Sequence, residues 1–465
     1  MEDTKTMKEL LGKLVAQLER AAPYADALYS ENRSTTIVKD RTGIETRSDA
    51  DAGVKLRAFD GVVFHERCIQ GWSPQTLQHE TQALIAQLRE RKPTGKTFTI
   101  KTPKDQLVRD YASKPKRDPH TIPVDEKIAR IEKIHKNVLA NDNAFINCQV
   151  LYREEHEVRI FAGGNRRLAS TWTGCTLGIT PFVKSPEGEA RHDHLTRFAD
   201  GAEVLDIPDA DLTTFLERAR KIATARRITP GAYTVILGPI VTGILAHESF
   251  GHGMESDMIL HGRARAADWI GKRIANAKVS ICDDPTIEGT HGFLFFDDEG
   301  MTPKRTPLLE RGIVTQPITE SFSAGKKNFA RTANGRAESF DRRVYARMTN
   351  TFFVSGKDDP ATMLRGVKDG FYLHTATSGM EDPKGWGVQI AGIIAERIKN
   401  GKRTGEYYNE VSMGGFLPDV LKNITAVGKN FSIKDDSGFC GKGHKEWVRV
   451  SSGGPTLLIT GVHLS

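Results

Sequence analysis

Apolar residues first recur at helical spacing in Leu10, Leu11, Leu14, Val15 and Leu18, which predicts an amphipathic helix over residues 7–21. From Ala25 to Cys68 the period falls to two. Runs such as Thr35-Thr36-Ile37-Val38 and Gly53-Val54-Lys55-Leu56-Arg57-Ala58 alternate and are separated by Asp-Arg-Thr-Gly and Phe-Asp-Gly turns, the pattern of an antiparallel meander. A second helix is expected over residues 73–92, with Ser73 as cap and Pro74 in the first turn. The charged stretch from Pro93 to Val124 reads as connecting loop. Ile128, Ile131, Ile134, Val138 and Leu139 restore a helical period over residues 125–140. Three strand-like runs follow, among them Glu157-Val158-Arg159-Ile160-Phe161, and a helix from about Asp209 to Arg226.

Thr229-Pro230-Gly231 stops that helix, and the chain restarts as the strand Tyr233-Thr234-Val235-Ile236-Leu237. Pro239 can open the next helix, which carries His247. From Val279 onward the chain is strand-like and punctuated by glycines such as Gly300, Gly312, Gly356 and Gly401. The expected fold class is therefore α+β. An N-terminal domain of antiparallel sheet with helices on one face, residues 1–228, precedes a large β-rich C-terminal domain, residues 229–465, that carries the His247 helix.

Composition narrows the classes. With 38% hydrophobic and 27% charged residues in 465, the chain is of the soluble globular type. No apolar run approaches the roughly 18 residues of a membrane-spanning helix, and Met1-Glu2-Asp3-Thr4-Lys5 does not open like a secretory signal, so a cytoplasmic protein is expected. Five scattered cysteines without a CxxC pair argue against a disulfide framework. The net charge of +7 raises nucleic acid as a partner. Because 66 basic and 59 acidic residues are mixed along the chain, nucleic-acid binding is not expected. The basic stretch from Lys326 to Arg347 instead suggests a groove for a polypeptide backbone or acidic side chains.

The chemistry is concentrated in Ala246-His247-Glu248-Ser249-Phe250-Gly251-His252-Gly253-Met254-Glu255. Two histidines and a glutamate suit a hydrolytic zinc site, where imidazoles bind the ion and a carboxylate stands near bound water. The spacing is HExxxH, however. At about 100° per residue an i, i+5 pair diverges by roughly 140° in a regular helix, so the helix must widen by a π-type turn or break near His252. Gly251 and Gly253 would make that distortion cheap. A catalytic zinc usually has three protein ligands, and Glu255, Asp257, His261, His444 and Cys440 are all candidates for the third.

Together with Cys440, the His247–His252 motif resembles the TldD/PmbA family, also called modulators of DNA gyrase. Asp297-Asp298-Glu299-Gly300, Gly335-Arg336-Ala337-Glu338-Ser339, Arg347-Met348-Thr349-Asn350-Thr351 and Cys440-Gly441-Lys442 look like family motifs in the family's order, and Gly53-Val54-Lys55-Leu56-Arg57 is the main likeness in the first half. The resemblance implies a zinc-dependent peptidase in which His247, His252 and Cys440 bind Zn2+. It also implies a dimer, of this chain or with a related subunit that lacks the motif, enclosing a chamber for small or unfolded polypeptides. The chain departs from the pattern at Glu381-Asp382-Pro383-Lys384-Gly385-Trp386 and after Lys442. In this reading Glu248 is the general base and then acid of amide hydrolysis, Asp297, Asp298 and Glu299 are either partners of a zinc-bound histidine or a charged turn, and Gly335–Ser339 has a structural or substrate-loop role. The rival is a zinc-stabilised scaffold or regulatory subunit with a closed four-ligand site, for which His444 is the suspect.

Overall fold

The computed structural model describes residues 2–91, 93–433, 437–442 and 446–465. Its first half is built on one eight-stranded sheet. The strands are β1 (Tyr24–Lys39), β2 (Ile44–Phe59), β3 (Phe64–Gln70), β4 (Leu107–Ala112), β5 (Phe145–Gly163), β6 (Arg166–Lys184), β7 (Ala190–His192) and β8 (Leu195–Ala199), in the order β3-β2-β1-β5-β6-β4 with β7 and β8 also on β6. All pairings are antiparallel except β4 on β6. Strand β4 lies inside the stretch expected to be loop. Its Leu107-Val108-Arg109-Asp110-Tyr111-Ala112 is largely exposed and carries charge, as an edge strand tolerates.

Strand alternation fixes which face meets what. Val54 and Leu56 of β2, Ile160 of β5 and Ala169 of β6 pack with Leu11, Leu14 and Leu18 of the helix Glu2–Leu18 and with Leu77, Leu84 and Leu88 of the helix Pro74–Glu90. Ser73 caps the latter, its hydroxyl accepting from Thr76 N at 3.1 Å. Val150 and Tyr152, on the same face of β5 as Ile160, pack with Ile131, Ile134 and Val138 of the helix Val124–Asn141 and Leu212, Phe215 and Leu216 of the helix Asp209–Ile222. All four helices thus cover one face, as expected. The residues between, Phe161 and Leu168 with the charged Arg57, Glu157 and Arg159, point the other way, into the second half.

The second half is β-rich. One sheet runs Asp369–Thr375, Gly231–Leu237, Leu457–Leu464, Lys402–Phe416, Gly387–Lys399, Ser378–Asp382, and a further pairing of Asp369–Thr375 with Gly387–Lys399 closes five of these strands into a ring. A second runs Ile313–Val314, Thr306–Glu310, Ile281–Asp283, Asn350–Phe353, Val448–Gly453, Ser437–Cys440, and Gly335–Arg336 pairs with Tyr345–Ala346 in a small third. Between the first two lies the helix Pro239–Ala246, with Val241, Leu245 and Ala246 in the main core. A Cβ on Gly243 would stand 2.3 Å from Gly453 N, so a bare helix face is what lets the helix touch the sheet.

Buried charges join the halves. Arg57 donates to both carboxylate oxygens of Asp26 and to Glu299 Oε1 at 3.0 Å, Arg331 donates to Glu299 Oε2 at 3.0 Å, and Arg159 pairs with Asp298. Asp297 Oδ1 accepts from Glu299 N and Met301 N, while Oδ2 accepts from Gly335 N. The Asp297–Glu299 motif therefore does not support a histidine: it is a charged turn before Gly300, buried, and it holds the two halves together. Arg336 of the Gly335–Ser339 motif donates to the carbonyls of Met348 and Arg449, a structural role. Arg331, Arg336 and Arg347 of the basic stretch are likewise buried in internal contacts, whereas Arg343 reaches the cavity described next.

Candidate metal centre

The helix entered at Pro239 widens at its C-terminal end. Residues His247–Gly251 form a π-turn, closed by a bond from His252 N to His247 O, and a 3-10 turn His252–Met254 follows. The extra residue per turn brings the imidazoles together, with ring centroids 5.1 Å apart and planes at 87°. The expected π distortion is present, but not for the expected reason. Gly251 has φ −65°, open to any residue. What it lacks is a side chain: a Cβ there would lie 1.9 Å from Met348 Sδ.

Cys440 arrives from an edge strand. Its Sγ is 3.4 Å from His252 Nε2, and the donor atoms of His247, His252 and Cys440 all lie within 4.8 Å of one another, each on a buried residue. Burial alone would push the Cys440 thiol up, but His252 and His247 beside it pull it well below the ordinary value. Burial likewise opposes a charged His252, yet Cys440 and Glu255 hold it well above the ordinary value. The Cys440 thiol and the two imidazoles are a set of soft and intermediate donors of the kind that binds a cation once deprotonated.

The other candidates stand behind this cluster. Glu255 Oε2 contacts His252 Nδ1 at 3.2 Å and Lys442 Nζ at 2.9 Å, with Arg347 Nε 3.7 Å from Oε1. Despite complete burial, Lys442 and His252 hold the Glu255 carboxyl down at about 2. Asp257 accepts from Lys442 Nζ at 2.8 Å. Arg347 also donates to the carbonyl of Cys440 at 2.5 Å. Lys442 and Arg347 thus tie the cysteine strand to the histidine segment. His261 is exposed on the cavity wall apart from the cluster. His444 lies outside the described residues.

Glu248 follows His247 onto the wall of a cavity of about 1370 Å3. With His252 and Glu381 it forms a second group of approaching oxygen and nitrogen atoms. Burial, with Glu248 beside it, pushes Glu381 up to about 7 against the pull of His252. A Cβ on Gly379 would strike Glu248 Cγ at 2.3 Å, so that glycine makes room for the carboxylate. The opposite wall is the free face of the N-terminal sheet, presenting Gln149, Thr180, His192 and His194. None of these, nor Glu381, carries a local signal in the sequence, because only tertiary pairing brings them here. His291, unremarkable in sequence, bonds Glu155 Oε2 at 2.7 Å through Nε2 and the carbonyl of Gly438 at 3.0 Å through Nδ1, so it anchors the Cys440 strand to β5.

Residues 230–465 match the PmbA/TldA metallopeptidase C-terminal domain. Over 453 residues the chain is 28% identical to a metalloprotease of Methanocaldococcus jannaschii, covering 95% of this chain and 96% of that one. It is 26% identical over 339 residues to a zinc metalloprotease TldD homolog of Saccharolobus solfataricus, covering 72% and 75%. The crystal structure of TldE from Thermococcus kodakarensis has the same fold, with a TM-score of 0.75 at 12% identity over 98% of this chain and 100% of that one. With its C-terminal domain matched and relatives along nearly its whole length, the chain is a member of the TldD/PmbA family.

Proposed function

We propose that the protein is a zinc-dependent peptidase acting on small or unfolded polypeptides. The observation that carries this reading is the convergence of His247, His252 and Cys440 beside Glu248 on one cavity wall. Two imidazoles and a thiolate suit zinc, and the three donors that converge among the described residues are the number that a catalytic zinc site takes from its protein. Bound there, zinc would polarise a carbonyl and lower the pKa of water.

The chain's own groups would do the rest. Glu255 accepts the Nδ1 proton of His252 and so leaves the Nε2 lone pair for the cluster. Glu248 takes a proton from attacking water and delivers it to the departing amine. The strand Ser378–Asp382 pairs, among the described residues, only with Gly387–Lys399. Gly379 of that strand lies against Glu248, and the strand's unpaired edge would hold an extended chain by backbone hydrogen bonds, which favours loose sequence preference.

We also propose that the working unit is a dimer, of this chain or with a related subunit, enclosing the cavity, and that the domains divide at 228/229. No helix among the described residues is long and apolar enough to cross a membrane. The test is to incubate zinc-loaded protein with unfolded polypeptides and identify products by mass spectrometry, with a chelator control. Cleavage abolished by chelation supports the reading; no cleavage across a broad panel favours the scaffold alternative.

A further inference from the structure

We propose that Phe439 and Trp447 form the subsite that takes a large apolar or aromatic side chain of the substrate on the Cys440 side of the scissile bond. The proposal rests on the peptidase reading and adds a preference to it. Both rings are markedly exposed, Phe439 at 40% and Trp447 at 46%. Scattered exposed hydrophobics are ordinary, but these two flank Cys440 and line the main cavity together. They also line a second cavity of about 640 Å3, so they form the lip between the two spaces.

Their positions are fixed in advance. Phe439 is held edge-on by His291, with centroids 5.0 Å apart and planes at 87°, and the Arg153 guanidinium lies 5.2 Å over its ring. Trp447 lies against the bare backbone of Gly441, where a Cβ would come within 3.1 Å of the indole. Rigid aromatic surface of this kind gives contact area at low entropic cost, and edge or offset ring contacts add to it. Across the site, on the Glu248 side, Met380 is 62% exposed and offers an unbranched, adaptable apolar surface. The far wall, with His194 between the hydroxyls of Thr180 at 2.8 Å and Thr196 at 2.6 Å, is polar and suits backbone rather than apolar side chains. An extended peptide laid on the Ser378–Asp382 edge would therefore meet aromatic surface beyond Cys440.

The experiment compares matched peptides with Phe or Ala next to the cleaved bond, in two arms. In turnover, kcat/KM is expected to be at least tenfold higher for the Phe peptide, and the ratio to collapse in Trp447→Ala and Phe439→Ala while zinc per chain stays at the parent value. Trp447→Leu should keep a preference for Leu over Ala and guards against a loss of fold. In binding, labelled peptides titrated into zinc-loaded Glu248→Gln protein should show the same tenfold preference, lost when Trp447→Ala is added. A binding preference without cleavage by the parent protein would leave the subsite standing and sink the peptidase reading. Cleavage with equal ratios in parent and Trp447→Ala would overturn the subsite. So would sedimentation showing a dimer that Trp447→Ala breaks into monomers, since the rings would then belong to the interface.

Discussion

Gly251 sits so close under Met348 that the sulfur occupies the space of its missing side chain. The contact joins the π-turn to the Arg347–Thr351 motif and sets the pitch at which His252 follows His247. Gly251→Ala must displace one of the two and, as an overpacking change, should destabilise by about 1–3 kcal/mol and lower zinc content. Gly253→Ala, where a Cβ would meet nothing within 4 Å, should change stability by about 0.5 kcal/mol or less. Denaturant midpoints and zinc analysis of the two variants check this; equal effects would show that backbone freedom, not space, is what the turn requires.

Glu248→Gln keeps the shape of the side chain but cannot accept the water proton. The variant should retain a full complement of zinc and lose about 100-fold or more in kcat. Parent-rate cleavage by the zinc-loaded variant would remove Glu248 from the mechanism.

Glu255 is expected to act on metal affinity through His252. Loss of such an orienting partner costs about 10–100-fold, so Glu255→Gln should release zinc to a chelator at correspondingly lower chelator concentration. Because Lys442 at the same time keeps only Asp257 of its two carboxylate partners, the denaturation midpoint should also fall.

Metal should stabilise the fold by linkage. Free zinc at 100 times its dissociation constant adds about 2.7 kcal/mol, and Cys440→Ser should abolish most of that zinc-dependent rise. A Cys440→Ser midpoint that still climbs with zinc would place the principal site elsewhere.

Acid should loosen the joint between the halves. Glu157 is buried, yet Arg159 and Arg449 hold it at about 2, below its usual 4.5. A depressed carboxylate binds fewer protons folded than unfolded below its ordinary value. Its contribution, on the order of 3 kcal/mol, is full above pH 4.5 and disappears as pH falls towards 2. Glu157→Gln should therefore lower stability at neutral pH and flatten the dependence between pH 4.5 and 2, as equilibrium unfolding at several pH values would show.

Local signals carried much of this molecule. The periodicity of Leu10 to Leu18, the Ser73 cap and the break at Thr229-Pro230-Gly231 gave helices and a strand where the structure has them. The i, i+5 spacing of His247 and His252 demanded a widened turn, and a π-turn is there. The signals ran out where contacts are long-range. Nothing in the spacing chose Cys440 over Glu255, Asp257 or His261, because Cys440 reaches the histidines only through the parallel pairing of Val448–Gly453 with Asn350–Phe353. The same reason left the role of the charged turn Asp297–Glu299 open, since its partners Arg57 and Arg159 belong to the first half, and hid strand β4, whose charged sequence resembles a loop until β6 pairs with it.

The position of Cys440 has a consequence for synthesis. Among the described residues its strand pairs only with Val448–Gly453, and its sulfur meets a histidine 188 residues earlier in sequence. A growing polypeptide therefore displays His247, Glu248 and His252 long before the third donor exists. The three-donor cluster can close only after Cys440 and the Val448–Gly453 strand beside it have been made, so a chain cut short before them carries the two imidazoles without the thiol.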